Sequence, residues 1–296
     1  MRHLERPKIR TQFIIFNLFG DYVNPRSAAV WTSGIVEILG MLGVSERATR
    51  STLSRMKAKG WLTAQKHGRR SMYRLTDRGK ALLEEGSRRI FDTTPTHWDQ
   101  SWHIVVYSLP QQMRAKRHEL RTRLSWLGYG MLEPGTMVAA IPRSEEVQSL
   151  LLELKVEPYV TFFTRAKLED GANRDIVTRC WDLANMNQRY SLFVKRFQTE
   201  YEALLKRNQS KEDLPPDECF VHRFWLTYEF SSFPRQDPNL PEELLPSNWR
   251  GNEAAELLRA YRALMRDPAQ AFVNDALGLE TTDTPLPQDM VAIPGM

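Results

Sequence analysis

The chain has 296 residues, with 42% hydrophobic, 26% charged and 10% aromatic residues, 17 prolines and 15 glycines; this excludes disordered, collagenous and coiled-coil classes and requires a packed core in two or three domains. Its net charge of +5 conceals an asymmetry: residues 1–90 hold 18 Lys/Arg against 7 Asp/Glu (+11), while residues 91–296 hold 23 against 29 (−6). A field of that shape draws polyanions to the first third of the chain and gives the rest no electrostatic reason to touch them.

In chain order, Thr11 caps a segment carrying Phe13, Ile14, Ile15, Phe16, Leu18 and Phe19 that ends near Gly20, before Asn24-Pro25. This predicts a short helix, apolar on most sides and buried. Thr32-Ser33 cap a second helix with Ile35, Val36, Ile38, Leu39 and Leu42 at helical spacing, closing on Gly43. Ser45 caps a third, Glu46 suits its positive end, and Gly60 stops it. Ala48, Thr52, Leu53 and Met56 make its inward stripe, which leaves Arg47, Thr49, Arg50, Ser51, Ser54, Arg55 and Lys57 facing out. Two helices joined by a short turn at Gly43-Val44 form a helix-turn-helix, whose second helix enters the major groove of DNA. The side chains suit that task, because arginine offers a two-pronged fork to guanine while Thr and Ser bond bases or phosphates.

Residues 61–66 and 71–75 are strand-like runs separated by His67-Gly68-Arg69-Arg70, with glycine where a tight turn needs it. A hairpin directly after a recognition helix is a wing, and His67, Arg69 and Arg70 at its tip are placed for phosphates or the minor groove. Thr76 or Asp77 caps a fourth helix over 78–90, and Thr93-Thr94-Pro95-Thr96 reads as a linker. A strand follows over 102–108, then an Arg/Lys-dense helix over 113–127, strands around 131–132 and 137–141, a helix over 144–154 and a strand over 159–164. That β-α-β-β-α-β order is the ferredoxin-like pattern. Residues 174–206 read as one helix, 217–233 as another, 237–249 as a proline-punctuated irregular segment and 253–266 as a last helix, ahead of a mobile tail.

The expected fold class is therefore α+β, in four segments. A winged helix-turn-helix occupies 1–92, a central ferredoxin-like domain 93–172, a helical effector and dimerisation domain 173–279, and a tail 280–296.

Gly60-Trp61-Leu62, Gly68-Arg69-Arg70-Ser71, Tyr73-Arg74-Leu75-Thr76 and Asp237-Pro238 through Trp249-Arg250-Gly251 together resemble the PaaX family of bacterial transcriptional repressors, over roughly positions 13 to 273. The resemblance implies a homodimer on double-stranded operator DNA and a central domain similar to CRISPR-associated ferredoxin-like nucleases. It also implies release from DNA by an aryl-acyl-coenzyme A, with phenylacetyl-coenzyme A as the leading effector and phenylacetate catabolism as the leading target; it assigns no effector-binding residue. Where many members carry His-Glu-Tyr-Arg-Arg-Phe before the Asp-Pro, this chain has Tyr228-Glu229-Phe230-Ser231-Ser232-Phe233, two positive charges fewer. The aromatic set Trp181, Tyr190, Phe224, Trp225, Tyr228 and Trp249 offers either core or the lining of an aryl pocket.

Catalysis finds little support. The first strand of the ferredoxin-like pattern ends in Tyr107-Ser108-Leu109-Pro110, without the carboxylate a metal-dependent nuclease needs. No H-x-x-x-H, C-x-x-C or G-x-S-x-G arrangement occurs, and His97, His103 and His222 read as ordinary histidines. The expectation is a non-enzyme with no cofactor and no metal. Cys180 and Cys219 are too few for a disulfide framework, and the start of the chain lacks the apolar core of a signal peptide. With no run of ~20 apolar residues, the expectation is a cytoplasmic protein without a membrane partner, nucleoid-associated when on DNA.

Overall fold

The computed structural model describes residues 10–23, 28–91, 97–168, 173–210, 212, 214–234 and 236–279, with backbone alone at 88–91. The predicted Asn24-Pro25 break, the 93–96 linker and the 280–296 tail lie outside the described residues. The architecture is α+β, and the chain falls into two compact units, neither contiguous in sequence. One gathers residues 1–92, 193–232 and 253–296, the other residues 93–192 and 233–252.

The first unit opens with α1 (Thr11–Leu18), buried from Phe13 through Leu18, which widens into a π-helical turn over Phe19–Val23. Then come β1 (Val30–Trp31), α2 (Thr32–Met41), α3 (Glu46–Ala58), β2 (Leu62–His67), β3 (Arg70–Leu75) and α4 (Asp77–Phe91). The three strands form an antiparallel sheet in the order β1-β3-β2, with Val30 opposite Tyr73 and His67 opposite Arg70. A sheet of this order beside three helices is a winged helix. Only β1 lacks a sequence signal, since two residues are too few to show a period.

Helices α9 (Pro216–Phe230) and α10 (Gly251–Leu277) complete this unit. Phe13 meets Tyr228 edge-on at 5.1 Å between ring centroids, and Tyr22 meets Phe220 at 5.8 Å. Beside them Arg262 donates both terminal nitrogens to the Asp21 carboxylate at 2.9 and 3.1 Å, and Arg223 approaches it at 3.4 Å. All three side chains are buried, a placement that charged groups tolerate only when paired. The last helix runs past the predicted end at 266 and through Pro268. Met265, Ala269, Val273 and Leu277 explain this, since they continue one buried stripe at four-residue steps.

In the second unit, β4 (Trp102–Tyr107), α5 (Arg114–Trp126), β5 (Gly130–Glu133), β6 (Thr136–Ala139), α6 (Ser144–Leu154) and β7 (Val160–Ala166) follow the predicted β-α-β-β-α-β order. The sheet is antiparallel in the order β5-β6-β4-β7. Val105, Tyr107, Met137 and Ala139 project onto Leu120, Leu124, Val147 and Leu150 of α5 and α6. Val138 belongs to a separate cluster with Trp98, Trp102, Ile176, Val177, Leu240 and Leu244.

The single helix predicted over 174–206 is broken at Trp181-Asp182 into α7 (Asn173–Cys180) and α8 (Leu183–Gln209). The Asp182 carboxylate accepts from the Asn185 amide at 3.0 Å, a capping bond that starts a new helix. Helix α8 gives residues 183–192 to this unit and 193–209 to the other. In the proline-punctuated segment, Asp237 accepts from the Tyr190 hydroxyl at 2.6 Å, and Tyr190 stacks on Phe233 at 4.2 Å. Among the described residues no helix is long and apolar enough to cross a membrane.

Candidate nucleic-acid interface

Helix α3 is built as a presenting surface. Gly43 and Gly60 carry φ of +81° and +72° at the turns before and after it, a region where glycine alone is unstrained. The Ser45 hydroxyl accepts from the Ala48 amide at 3.3 Å, and Glu46 sits in the first turn while Arg55 and Lys57 sit in the last, each sign matched to the helix dipole. Thr49, Thr52, Leu53 and Met56 are buried. Their spacing of three, four and seven residues is that of one helix face.

Thr49 is thus a correction. Expected to face outward with the arginines, it is fully buried and donates its hydroxyl to the Ser45 carbonyl at 3.2 Å. Ala48, expected inward, is only half-buried. The same spacing, read from residue 49 instead of 48, identifies the inward stripe from sequence. Arg47, Arg50, Ser51, Ser54, Arg55 and Lys57 are all exposed, in one cationic and hydroxyl-bearing face. Arg50 donates Nε–H to Glu46 at 2.7 Å, with both side chains more than half exposed. Such a pair contributes little and exchanges readily for a phosphate or a base.

The hairpin turns at Gly68 and Arg69, with Gly68 at a φ of +60°, the first central position where a two-residue turn takes glycine. His67, Arg69 and Arg70 are exposed at the tip, and the His67 ring lies 5.6 Å from that of Trp31 on β1. Lys66 and Arg74 on the two strands are exposed as well, and Lys59 sits 4.4 Å over the Trp61 ring. These three cations escaped the sequence reading. The period of two sends only Arg74 away from the face of buried Leu75, whereas Lys66 shares the face of Leu62 and is exposed toward the hairpin tip. Thr76 ties helix to wing, donating to the Gly60 carbonyl at 2.6 Å and accepting from the Gly79 amide at 3.1 Å. At Gly79 a Cβ would stand 2.3 Å from the Trp61 carbonyl, so glycine lets α4 lie flush against the start of β2.

The remaining candidates converge on no second constellation. His97 pairs with Glu243 at 3.1 Å, His222 lies 3.2 Å from the Tyr261 hydroxyl, and His103 is buried. Among the described residues no group of three His, Cys, Asp or Glu stands close enough to hold a metal ion. Burial pushes the Cys180 thiol up to about 11 against the neighbouring Arg179, so it is no ready thiolate. Of the aromatic set, Trp181 stacks on Trp102 and Tyr190 meets Trp249 at 5.4 Å in the second unit. Phe224, Trp225 and Tyr228 pack on one another in the first. Ser231 is fully buried and donates to the Tyr228 carbonyl at 2.7 Å, while Ser232 donates to the Glu229 carbonyl at 2.9 Å. The two serines close the end of α9.

Three family models match in succession: a PaaX-like protein model over residues 10–79, the PaaX protein central Cas2-like domain over 95–177 and the PaaX-like protein C-terminal domain over 181–275. The chain is 30% identical over 278 residues to the transcriptional repressor PaaX of Escherichia coli (strain K12), covering 93% of this chain and 86% of that one. Among solved structures it resembles the uncharacterized protein Rv0674 from Mycobacterium tuberculosis, with a TM-score of 0.55 and 22% identity, over 90% of this chain and 97% of the other. That likeness supports the fold.

Proposed function

Because the chain belongs to the PaaX family, we propose that it is a DNA-binding transcriptional repressor whose winged helix reads an operator in double-stranded DNA. The observation that carries the reading is the exposed face of α3, followed without interruption by a hairpin with a basic tip. Arg47, Arg50, Ser51 and Ser54 face base edges in the major groove, and Arg55, Lys57, His67, Arg69 and Arg70 hold phosphates. Two copies in a homodimer present two recognition helices to half-sites about one helical turn apart.

The effector we propose is an aryl-acyl-coenzyme A, with phenylacetyl-coenzyme A first among candidates, on genes of aromatic catabolism. Such a ligand weakens DNA binding only by its differential affinity for the two states of the dimer, about 1–3 kcal/mol of coupling. The reading is tested by fluorescence anisotropy at fixed salt, with the full chain on a fragment of its own promoter. Binding lost on adding phenylacetyl-coenzyme A, but kept with free coenzyme A or phenylacetate, is the expected result. Tight binding indifferent to the compound removes this effector and leaves the winged helix standing. No preference for the promoter over unrelated duplex removes the repressor reading itself.

A further inference from the structure

The Arg/Lys-dense helix α5 belongs to the second unit, on the acidic side of the charge divide, and the winged helix makes no use of it. Its inward residues, Leu120 and Leu124, are buried in the ferredoxin-like core. At ~100° per residue, Arg114, Arg117, His118 and Arg121 fall within a single arc of about 100° on another side of the helix. Glu119, the helix's one acidic residue, lies ~160° round from Arg121. Arg114, His118 and Arg121 are exposed and Arg117 is half-buried.

The row lacks counter-charge among the described residues. Three other arginines of the same unit are neutralised: Arg123 by Glu153, Arg143 by Glu146 and Arg179 by Glu133. Among the described residues Arg114, Lys116, Arg117 and Arg121 stand in no ion pair, and Arg117 reaches only the neutral Gln111 at 3.5 Å. Arg121 and Arg117 lie close enough to Tyr107, at the end of β4, to oppose the burial that raises its phenol. Two guanidinium groups of the row, those of Arg117 and Arg121, therefore lie near one phenol. Like charges gathered on a rigid helix repel, and they destabilise the free protein unless an anion is there to receive them.

We infer that the Arg114–Arg117–Arg121 row of α5 is a second contact surface for the phosphate backbone of duplex DNA. From Arg114 to Arg121 the row climbs ~10 Å along the helix, the rise of about three phosphates of one strand at ~3.4 Å each. Arginine on a rigid scaffold matches phosphate geometry without reading sequence, so the row adds affinity and salt dependence but no base preference. The occupant is DNA because the same chain, on the reading above, is already held to DNA by its winged helix. Covalent linkage then presents the row with the polymer at high effective concentration.

The test uses the full chain with Arg114→Gln, Arg117→Gln and Arg121→Gln together, which remove charge while keeping helix propensity. Affinities for the promoter duplex and an unrelated duplex of equal length are measured across salt. Each phosphate contact contributes about −0.9 to the slope of log K on log [salt]. The triple variant should therefore be shallower by two to three units on both duplexes. Between about 50 and 200 mM salt the parent then loses roughly 40-fold more affinity than the variant, with the promoter preference unchanged. A slope equal to the parent's overturns the inference and leaves the winged-helix reading intact. A parent that binds neither duplex overturns both, and a change in promoter preference makes the row a base reader and also overturns it. The single Arg121→Gln, expected to shift the slope by about one unit, decides the matter should the triple variant melt below the parent.

Discussion

Thr49 and Arg50 are adjacent in sequence and opposite in fate, one bonded inside the winged helix and the other held only by an exposed glutamate. Arg50→Ala should cost about 1–3 kcal/mol on operator DNA and relax preference at one base pair. Anisotropy against a panel of single-base operator variants checks this, and unchanged affinity and preference would remove Arg50 from the reading face. Arg69→Ala and Arg70→Ala should instead weaken every sequence alike and flatten the salt slope. His103 gives a prediction of another kind. It is buried, neither ring nitrogen has a hydrogen-bond partner among the described residues, and burial pushes its pKa down while Asp99 pulls up and Arg165 adds to the fall. A histidine depressed in the fold stays neutral there, whereas the unfolded chain takes up its proton below ~6.5. Stability should therefore fall as pH drops through that range. In denaturant melts His103→Leu should flatten this acid limb, and an unaltered limb would assign it to other groups.

At the scale of elements, the sequence was legible wherever a local signal closed both ends. Ser45 and Gly60 bracket α3, Gly68 turns the wing, and Gly128 and Pro134-Gly135 punctuate the ferredoxin-like run. It was least legible where burial overrode punctuation, as at Pro268, or where a side-chain cap broke a helix without glycine or proline, as at Asp182. The end of α9 belongs to this second group, since it stops at Phe230 and not at 233 and is sealed by serine hydroxyls. Of the reading face, the exposed arginines were legible from residue type, but the helix phase that takes Thr49 inside required the right starting residue. Two glycines of α2 show how far packing decides. Gly40 is exposed with open space around it, so Gly40→Ala should stabilise by roughly 0.5–1 kcal/mol through helix propensity. At Gly34 a Cβ would stand 2.4 Å from the Ala276 carbonyl, so Gly34→Ala should destabilise despite the same propensity gain. Thermal melts of the two variants should move in opposite directions, and a shared direction would mean α10 does not bear on α2.

At the scale of the whole chain, the compact unit that carries the winged helix also contains α9, α10 and part of α8. Linear composition announces no such return, because it is recorded in tertiary pairings such as that of Asp21 with Arg262, 241 residues apart. Arg262→Ala strands a buried carboxylate beside Arg223 and should cost about 3–5 kcal/mol in chemical denaturation. Arg262→Met and Arg223→Met with Asp21→Leu should recover much of that loss, since a buried ion cluster replaced whole by apolar side chains is often neutral. A loss below about 1 kcal/mol for the single variant would mean that the pair is not buried in solution.

The last turn of α10 rests on α2, the helix that precedes the recognition helix, and this has a consequence for the order in which the protein is made. Synthesis from the N-terminus supplies the reading face first and its closing support last, so a growing polypeptide displays α3 long before residues 251–277 have left the ribosome. Early-terminated products therefore carry the exposed arginines of α3 yet lack the helix that packs on α2. Such products should be proteolysed, and should not compete with finished repressor for the operator.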